Sequence, residues 1–225
     1  MKAEKKSATF IAPVFCISVI LFFAVILLNP TTRDIFVKCT VSHPYILGFI
    51  KFGLLATTGE LLARRLSSGT WSIPVGVLAR AIIWGVLGMA ITLVFKVYGG
   101  GIKSAMGLGY LPGGESVFLK ALFTSVIMNI SFAPVMMAFH RITDTWIDMR
   151  YKKESNITLS SIVTSIDWAG FVDFTILKTI PLFWIPAHTI TFLLPGEYQI
   201  MMAAFLSIAL GAILASTAKQ KRIKY

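Results

Sequence analysis

Charge is what this sequence has least of. Asp, Glu, Lys and Arg together make up 14% of its 225 residues, and only ten side chains are acidic. Ordinary soluble domains carry about 25% charged residues. A chain of this size folded in water has no interior large enough to hide the 56% of it that is hydrophobic. Cysteine is scarce too. Of two cysteines, Cys16 lies in the first apolar run and Cys39 is expected in the loop after it, so no disulfide framework is expected. Internal repeats and low-complexity linkers are missing, as are H-E-x-x-H, G-x-S-x-G and C-x-x-C. These absences exclude a disordered chain, a disulfide scaffold and almost any water-soluble enzyme. With a mean hydropathy of +0.78, what remains is a polytopic membrane protein.

Six apolar segments stand out, roughly 8–28, 45–63, 73–95, 117–139, 171–193 and 197–216. Each is near the ~20 helical residues needed to cross a hydrocarbon core about 30 Å thick. The first holds no charged residue and follows Lys2, Lys5 and Lys6, as a signal peptide would. Its apolar length exceeds the ~7–15 residues of a signal core, and Leu27, Leu28, Asn29 and Pro30 offer no cleavage site, so a retained anchor is expected. The net charge of +11 sits beside these segments and forms no single stripe, so nucleic acid is not expected as a partner. Lys2, Lys5, Lys6, Arg64, Arg65, Arg141, Arg150, Lys152, Lys153, Lys219, Lys221, Arg222 and Lys224 fall on one side of the six segments; Arg33, Lys38, Lys96 and Lys103 fall on the other. The richer side is the cytoplasmic one. The expected fold is all-α: a single membrane domain over 1–225, a six-transmembrane-helix bundle with both termini cytoplasmic. The glycine-rich stretch from Tyr98 to Glu115 is expected as a flexible or re-entrant outer loop. Residues His140 to Trp168 are expected as a solvated loop with a helical extension of the fourth segment.

Ionisable and polar side chains inside apolar segments are the best pointers to function. Glu60 and Arg80 lie near the same membrane face on neighbouring segments, at depths differing by only about 6 Å, and an ion pair between them is expected. Lys51 and Lys120 are basic as well, with Lys120 close enough to a segment end to snorkel. Asn129, Asp173, Lys178 and His188 complete a polar set, in which Asp173 is placed to meet Arg80 or Lys178. Pro134, Pro181 and Pro186 break helices and free the carbonyls of Ile130, Leu177 and Leu182. The doubly broken fifth segment, with His188, Thr189 and Thr191, reads either as a cavity lining or as a kinked helix packed by its neighbours. Ala203, Ser207, Gly211 and Ala215 recur at spacing four, a smooth face for close helix packing that also leaves a homo-oligomer open. No catalytic constellation, metal-ligand spacing or cofactor motif emerges, and neither a metal nor a cofactor is expected.

Four stretches, in order, resemble signatures of a known family. Gly53, Gly59, Glu60 and Arg64 are similar to G-x-L-x-x-x-G-D-x-x-x-Q. Arg80, Trp84 and Gly85 are similar to R-x-x-x-[aromatic]-G. Asn129, Ala133 and Pro134 are similar to D-Q-x-x-x-[A/G]-P. Trp184, Pro186 and His188, followed by Phe192, Pro195, Tyr198 and Gln199, are similar to W-x-P-x-Q with its downstream V-P-x-x-[F/Y]-R. The chain thus resembles, over roughly 44–216, the 22-kilodalton peroxisomal membrane proteins and their mitochondrial inner-membrane relatives of the Mpv type. It departs from them at Glu60, Arg64, Asn129, His188 and Gln199, and its first segment is an addition to their four-helix pattern. The resemblance implies an integral membrane protein linked to passage of small solutes, without established enzymatic activity.

The expected function is therefore a channel or transporter for small solutes in a lipid bilayer. The alternatives are a structural or assembly protein with no solute path, and an intramembrane lipid-modifying enzyme built on His140 and Asp144. The Lys-rich ends suit a bacterial inner (plasma) membrane; a eukaryotic source would imply the mitochondrial inner or peroxisomal membrane.

Overall fold

The computed structural model describes residues 2–223, with side chains for 10–213. Every regular element among them is helical: α1 (Lys2–Leu28), α2 (Pro30–Ser42), α3 (Pro44–Ser68), α4 (Val77–Gly107), α5 (Val117–Ser131), α6 (Ala133–Tyr151), α7 (Leu159–Thr164), the single turn α8 (Trp168–Gly170), a wide helix (Phe171–Trp184), α9 (Ile185–Leu193) and α10 (Gly196–Ile223). Phe10–Leu28, Pro44–Ser68, Val77–Gly107, Trp168–Leu193 and Gly196–Ile213 are each long and apolar enough to cross a membrane. The pair α5–α6, bent by 44°, makes a sixth if it is one broken span.

Two stretches expected as loops are helical. The segment after α1 forms α2 because Asn29 accepts from the backbone N–H of Thr31 and Thr32 (3.0 and 3.3 Å) while Pro30 takes the first helical position. It is short and polar, so the search for long apolar runs passes over it. The glycine-rich stretch is the C-terminal part of α4, which runs through Gly99, Gly100 and Gly101 to Gly107, leaving only 108–116 outside regular helix. Each helical glycine costs about 1 kcal/mol relative to alanine, but the long apolar turns before them supply a nucleus that the helix need only extend. Beyond His140, α6 does continue as a helical extension, to Tyr151, followed by α7.

The chain divides into two compact units, Met1–Met89 with Ile200–Tyr225, and Ala90–Gln199. The first unit is built on small residues. A Cβ on Gly88 would stand 2.4 Å from the Gly48 carbonyl oxygen and 2.6 Å from Phe52 Cβ, and one on Gly85 would overlap the Phe49 ring. These helices touch at backbone distance because nothing larger fits. The stripe on α10 is used in the same way. Gly211 faces Ala63 and the Gly59 carbonyl, and Gly59 in turn faces the backbone of Ser207 and Ile208. Ala203 is buried, whereas Ala215 lies outside the described side chains. The face read as a packing surface thus receives α3 of the same chain. On α1, Ala12 and Cys16 pack with Leu61 against Phe15, Leu62 and Trp71, and Phe23 meets Phe205 edge-on.

In the second unit Pro134 sits in the first turn of α6, next to the break at Phe132. The fifth segment is wound differently from expectation. From Phe171 to Trp184 its backbone bonds run from residue i to i+5, ending with the Ile185 N–H on the Ile180 carbonyl. In that winding the carbonyl deprived by Pro181 is that of Ile176, five residues back, and not Leu177. Pro186 falls in the first turn of α9, where a missing N–H is tolerated, so it opens a new helix and does not break one.

The glycines give a paired test. Gly88→Ala is expected to lower stability by about 1–3 kcal/mol, since the obstructing atoms are backbone and a Cβ. Gly100→Ala meets nothing within 4 Å and is expected to raise stability by about 0.5–1 kcal/mol. Thermal unfolding in a non-ionic detergent reads both; equal effects would contradict the packing described.

Candidate functional site

Inside the second unit, α5 and α9 hold a fully buried polar network. Ser125 and Asn129 are one turn apart on α5, hence on one face. The Asn129 amide nitrogen donates to the Ser125 carbonyl (2.8 Å) and hydroxyl oxygen (3.3 Å). The Ser125 hydroxyl donates across to the Ile185 carbonyl at 2.7 Å. Asn129 Oδ1 lies 3.1 Å from His188 Nδ1 on α9. Because the amide nitrogen is already donating, the oxygen must accept, and the imidazole proton sits on Nδ1. The lone pair of His188 Nε2 then has no polar partner among the described residues.

An aromatic collar holds the imidazole. Trp184 stacks on it at 5.1 Å between centroids, and Phe95 meets it edge-on at 5.8 Å. Trp184 Nε1 is buried and has no hydrogen-bond partner among the described residues. An indole N–H left so in an apolar setting costs about 1–3 kcal/mol. The network therefore has two loose ends, a donor on Trp184 and an acceptor on His188. The neighbouring threonines show the contrast. Thr124, Thr189 and Thr191 return their hydroxyls to their own helices, at the Lys120, Ile185 and Ala187 carbonyls. Thr179 does so five residues back, to Phe174, as the wide winding requires.

Asp173 and Lys178 meet each other, at 2.6 Å, with both side chains more than half exposed. Five residues apart, they are neighbours only because the helix is wide. They pair as one of the two sequence readings has it, but on the surface of the unit and apart from the buried network. His140 Nδ1 stands 3.7 Å from Asp144 Oδ2 on α6.

In the first unit Glu60 accepts from the Trp84 indole at 2.8 Å, and the buried Arg80 donates through Nε to the Val75 carbonyl at 3.2 Å. Arg80 and Trp84 lie one turn apart on α4, so Glu60 reaches the face of α4 that carries the arginine. The indole bond was not foreseen, because tryptophan at that position reads as apolar filling.

Lys51, only 1% exposed on α3, is the other buried cation. It donates to Thr40 Oγ1 at 2.9 Å and stands 4.3 Å from the centre of the Phe36 ring. No carboxylate among the described residues pairs with it. Its hydroxyl partner and aromatic face together offset about 3–5 kcal/mol, against an idealised cost of order 20 kcal/mol for removing such an ion from water. The sequence placed Lys51 in an apolar segment but could not find its partners, which lie on α2.

No family model, curated protein or solved structure matches this chain.

Asn129 is the hub of the network, so Asn129→Leu is expected to cost about 1–3 kcal/mol by leaving Ser125 and His188 short of partners. In the double variant with His188→Leu the loss is expected to be smaller than the sum of the two single losses. Chemical or thermal unfolding of the four proteins checks this; strict additivity would contradict the hydrogen bond.

Proposed function

We propose that this protein is an integral membrane channel or transporter that passes small polar solutes, distantly related to the 22-kilodalton peroxisomal and Mpv-type mitochondrial membrane proteins. The bent α5–α6 pair crosses as one broken span, which makes six crossings with both termini cytoplasmic. A bacterial inner membrane is the expected setting.

One observation carries this reading: a buried polar network inside apolar helices beside which Trp184 Nε1 is a buried donor without a partner among the described residues, with His188 Nε2 left as an acceptor when the proton is on Nδ1. Polar groups in hydrocarbon that serve structure alone are normally satisfied. A donor and an acceptor left over are what a passing hydroxyl, amide or water can use. The relationship draws support from contacts between the resembling stretches. Asn129 of one bonds His188 of another, on which Trp184 stacks, and Glu60 of a third meets Trp84 of a fourth.

A structural or assembly role is the second reading. It is favoured by the closed part of the network, where Ser125, Asn129 and the Ile185 carbonyl are satisfied by one another.

Trp184→Phe separates the two. It keeps an aromatic ring against His188 but removes the unpartnered N–H together with part of the indole's bulk, so the variant's unfolding temperature is measured beside its flux. In proteoliposome swelling assays with glycerol, glucose and potassium chloride, the wild type is expected to pass at least one solute. The variant is expected to pass it about fivefold more slowly or worse, the scale of one lost hydrogen bond. Wild-type liposomes as tight as protein-free ones, or a variant with unchanged flux, would remove transport through this site and leave the structural role.

A further inference from the structure

We infer that Lys51 anchors a binding site for an anion, with Thr40 and Phe36 as its walls. The inference rests on the chemistry of the first unit and does not depend on the transport reading.

Lys51 Nζ has three N–H bonds. One goes to Thr40 Oγ1 at 2.9 Å, and a second direction is covered by the Phe36 ring, 4.3 Å away. Nothing among the described residues accepts from the rest. Thr40 is buried and spends its oxygen as an acceptor for Lys51; its own O–H has no acceptor among the described residues either. With Thr40 Oγ1 already accepting from Lys51, what is left unspent around the ammonium is donors and one positive charge. A neutral, water-like ligand would satisfy some of these groups but not the charge. A ligand with several acceptor sites and a negative charge satisfies all of them.

The approach to the site has the matching sign. Arg33, Phe36 and Thr40 lie at i, i+3 and i+7 of α2 and so share one face. Arg33 is exposed at its outer end, Phe36 and Thr40 are buried, and Lys51 stands beneath them. Lys38 adds a second exposed cation to α2, against the single acid Asp34. Exposed cations of this sign raise the local concentration of anions beside α2.

The same anionic chemistry can come from a free inorganic anion or from a lipid phosphate. Purified full-length protein in a non-ionic detergent, in sodium gluconate, is titrated with chloride and separately with inorganic phosphate while its unfolding temperature is followed. Parallel samples are placed in nanodiscs of phosphatidylcholine alone or with phosphatidylglycerol. The wild type is expected to show a saturable rise of about 3 °C or more with at least one of these. Lys51→Met, which replaces the ammonium by an apolar chain of similar length, is expected to fold and to lose the rise. Lys51→Arg keeps it, and Thr40→Val weakens it. A rise with chloride or phosphate assigns a soluble anion; a rise with phosphatidylglycerol alone assigns a lipid headgroup. No rise under any condition, or a rise of equal size in Lys51→Met, overturns the inference. None of these outcomes bears on solute flux, so the transport reading stands or falls separately.

Discussion

A polar group inside hydrocarbon has no water to turn to, and this constraint organises the molecule. Most of the buried polar side chains described above obey it in the cheapest way. Thr124, Thr179, Thr189 and Thr191 fold their hydroxyls back onto carbonyls of their own helices. Ser125, Asn129 and His188 obey it by bonding one another between α5 and α9. Because apolar side chains gain little from each other in a lipid environment, the helices of the first unit hold together by fit instead, with Gly48, Gly59, Gly88 and Gly211 letting backbones approach and Gly85 making room for the Phe49 ring.

Against that background the exceptions carry meaning. In the second unit the exception is a pair, one donor and one acceptor, at the aromatic edge of an otherwise closed network. In the first they include Thr57 Oγ1, buried with no hydrogen-bond partner among the described residues, and Lys51, whose one hydrogen-bond acceptor is Thr40 Oγ1. The two differ in chemistry. The first suits a neutral group that can both give and take a hydrogen bond, the second a negatively charged one. The wide winding of Phe171–Trp184 positions the first. It ends at Trp184, where α-helical winding resumes one residue later and carries His188 one turn on. Helical segments wound this loosely are uncommon and concentrate at functional sites.

Much of the fold could be read from the sequence, because segment length and polarity are themselves the physics of crossing a membrane. The apolar segments emerge directly, and the four-residue stripe on α10 names its own packing face. Polar residues at apolar positions picked out Asn129 and His188, which the structure buries, yet could not say that they bond each other, since they are 59 residues apart. Other features escaped for definable reasons. The register of the wide helix leaves no trace in hydropathy, so Pro181 was assigned the wrong carbonyl. Asp173 and Lys178 count as intramembrane charges by position but pair on the surface. Glycines near the end of α4 read as a loop because propensity is local, whereas the helix that carries them is supported from upstream. Trp84 and Trp184 were weighed as bulk, though each matters through a single N–H. The partners of Lys51 went unseen because they sit on α2, a helix too short and polar to register as part of a membrane fold.

The account depends on the α5–α6 pair being a crossing. If it is, the chain crosses six times and its two ends share a face; if it is not, the pair turns back as a re-entrant segment, the chain crosses five times and the ends lie on opposite faces. Placing one cysteine at a time, as Ala3→Cys or Gln220→Cys in a chain with Cys16 and Cys39 replaced by serine, and labelling with a membrane-impermeant maleimide decides it. Six crossings require both positions to react from the same face, in inverted vesicles and not in right-side-out ones. Labelling of the two positions from opposite faces would contradict the account.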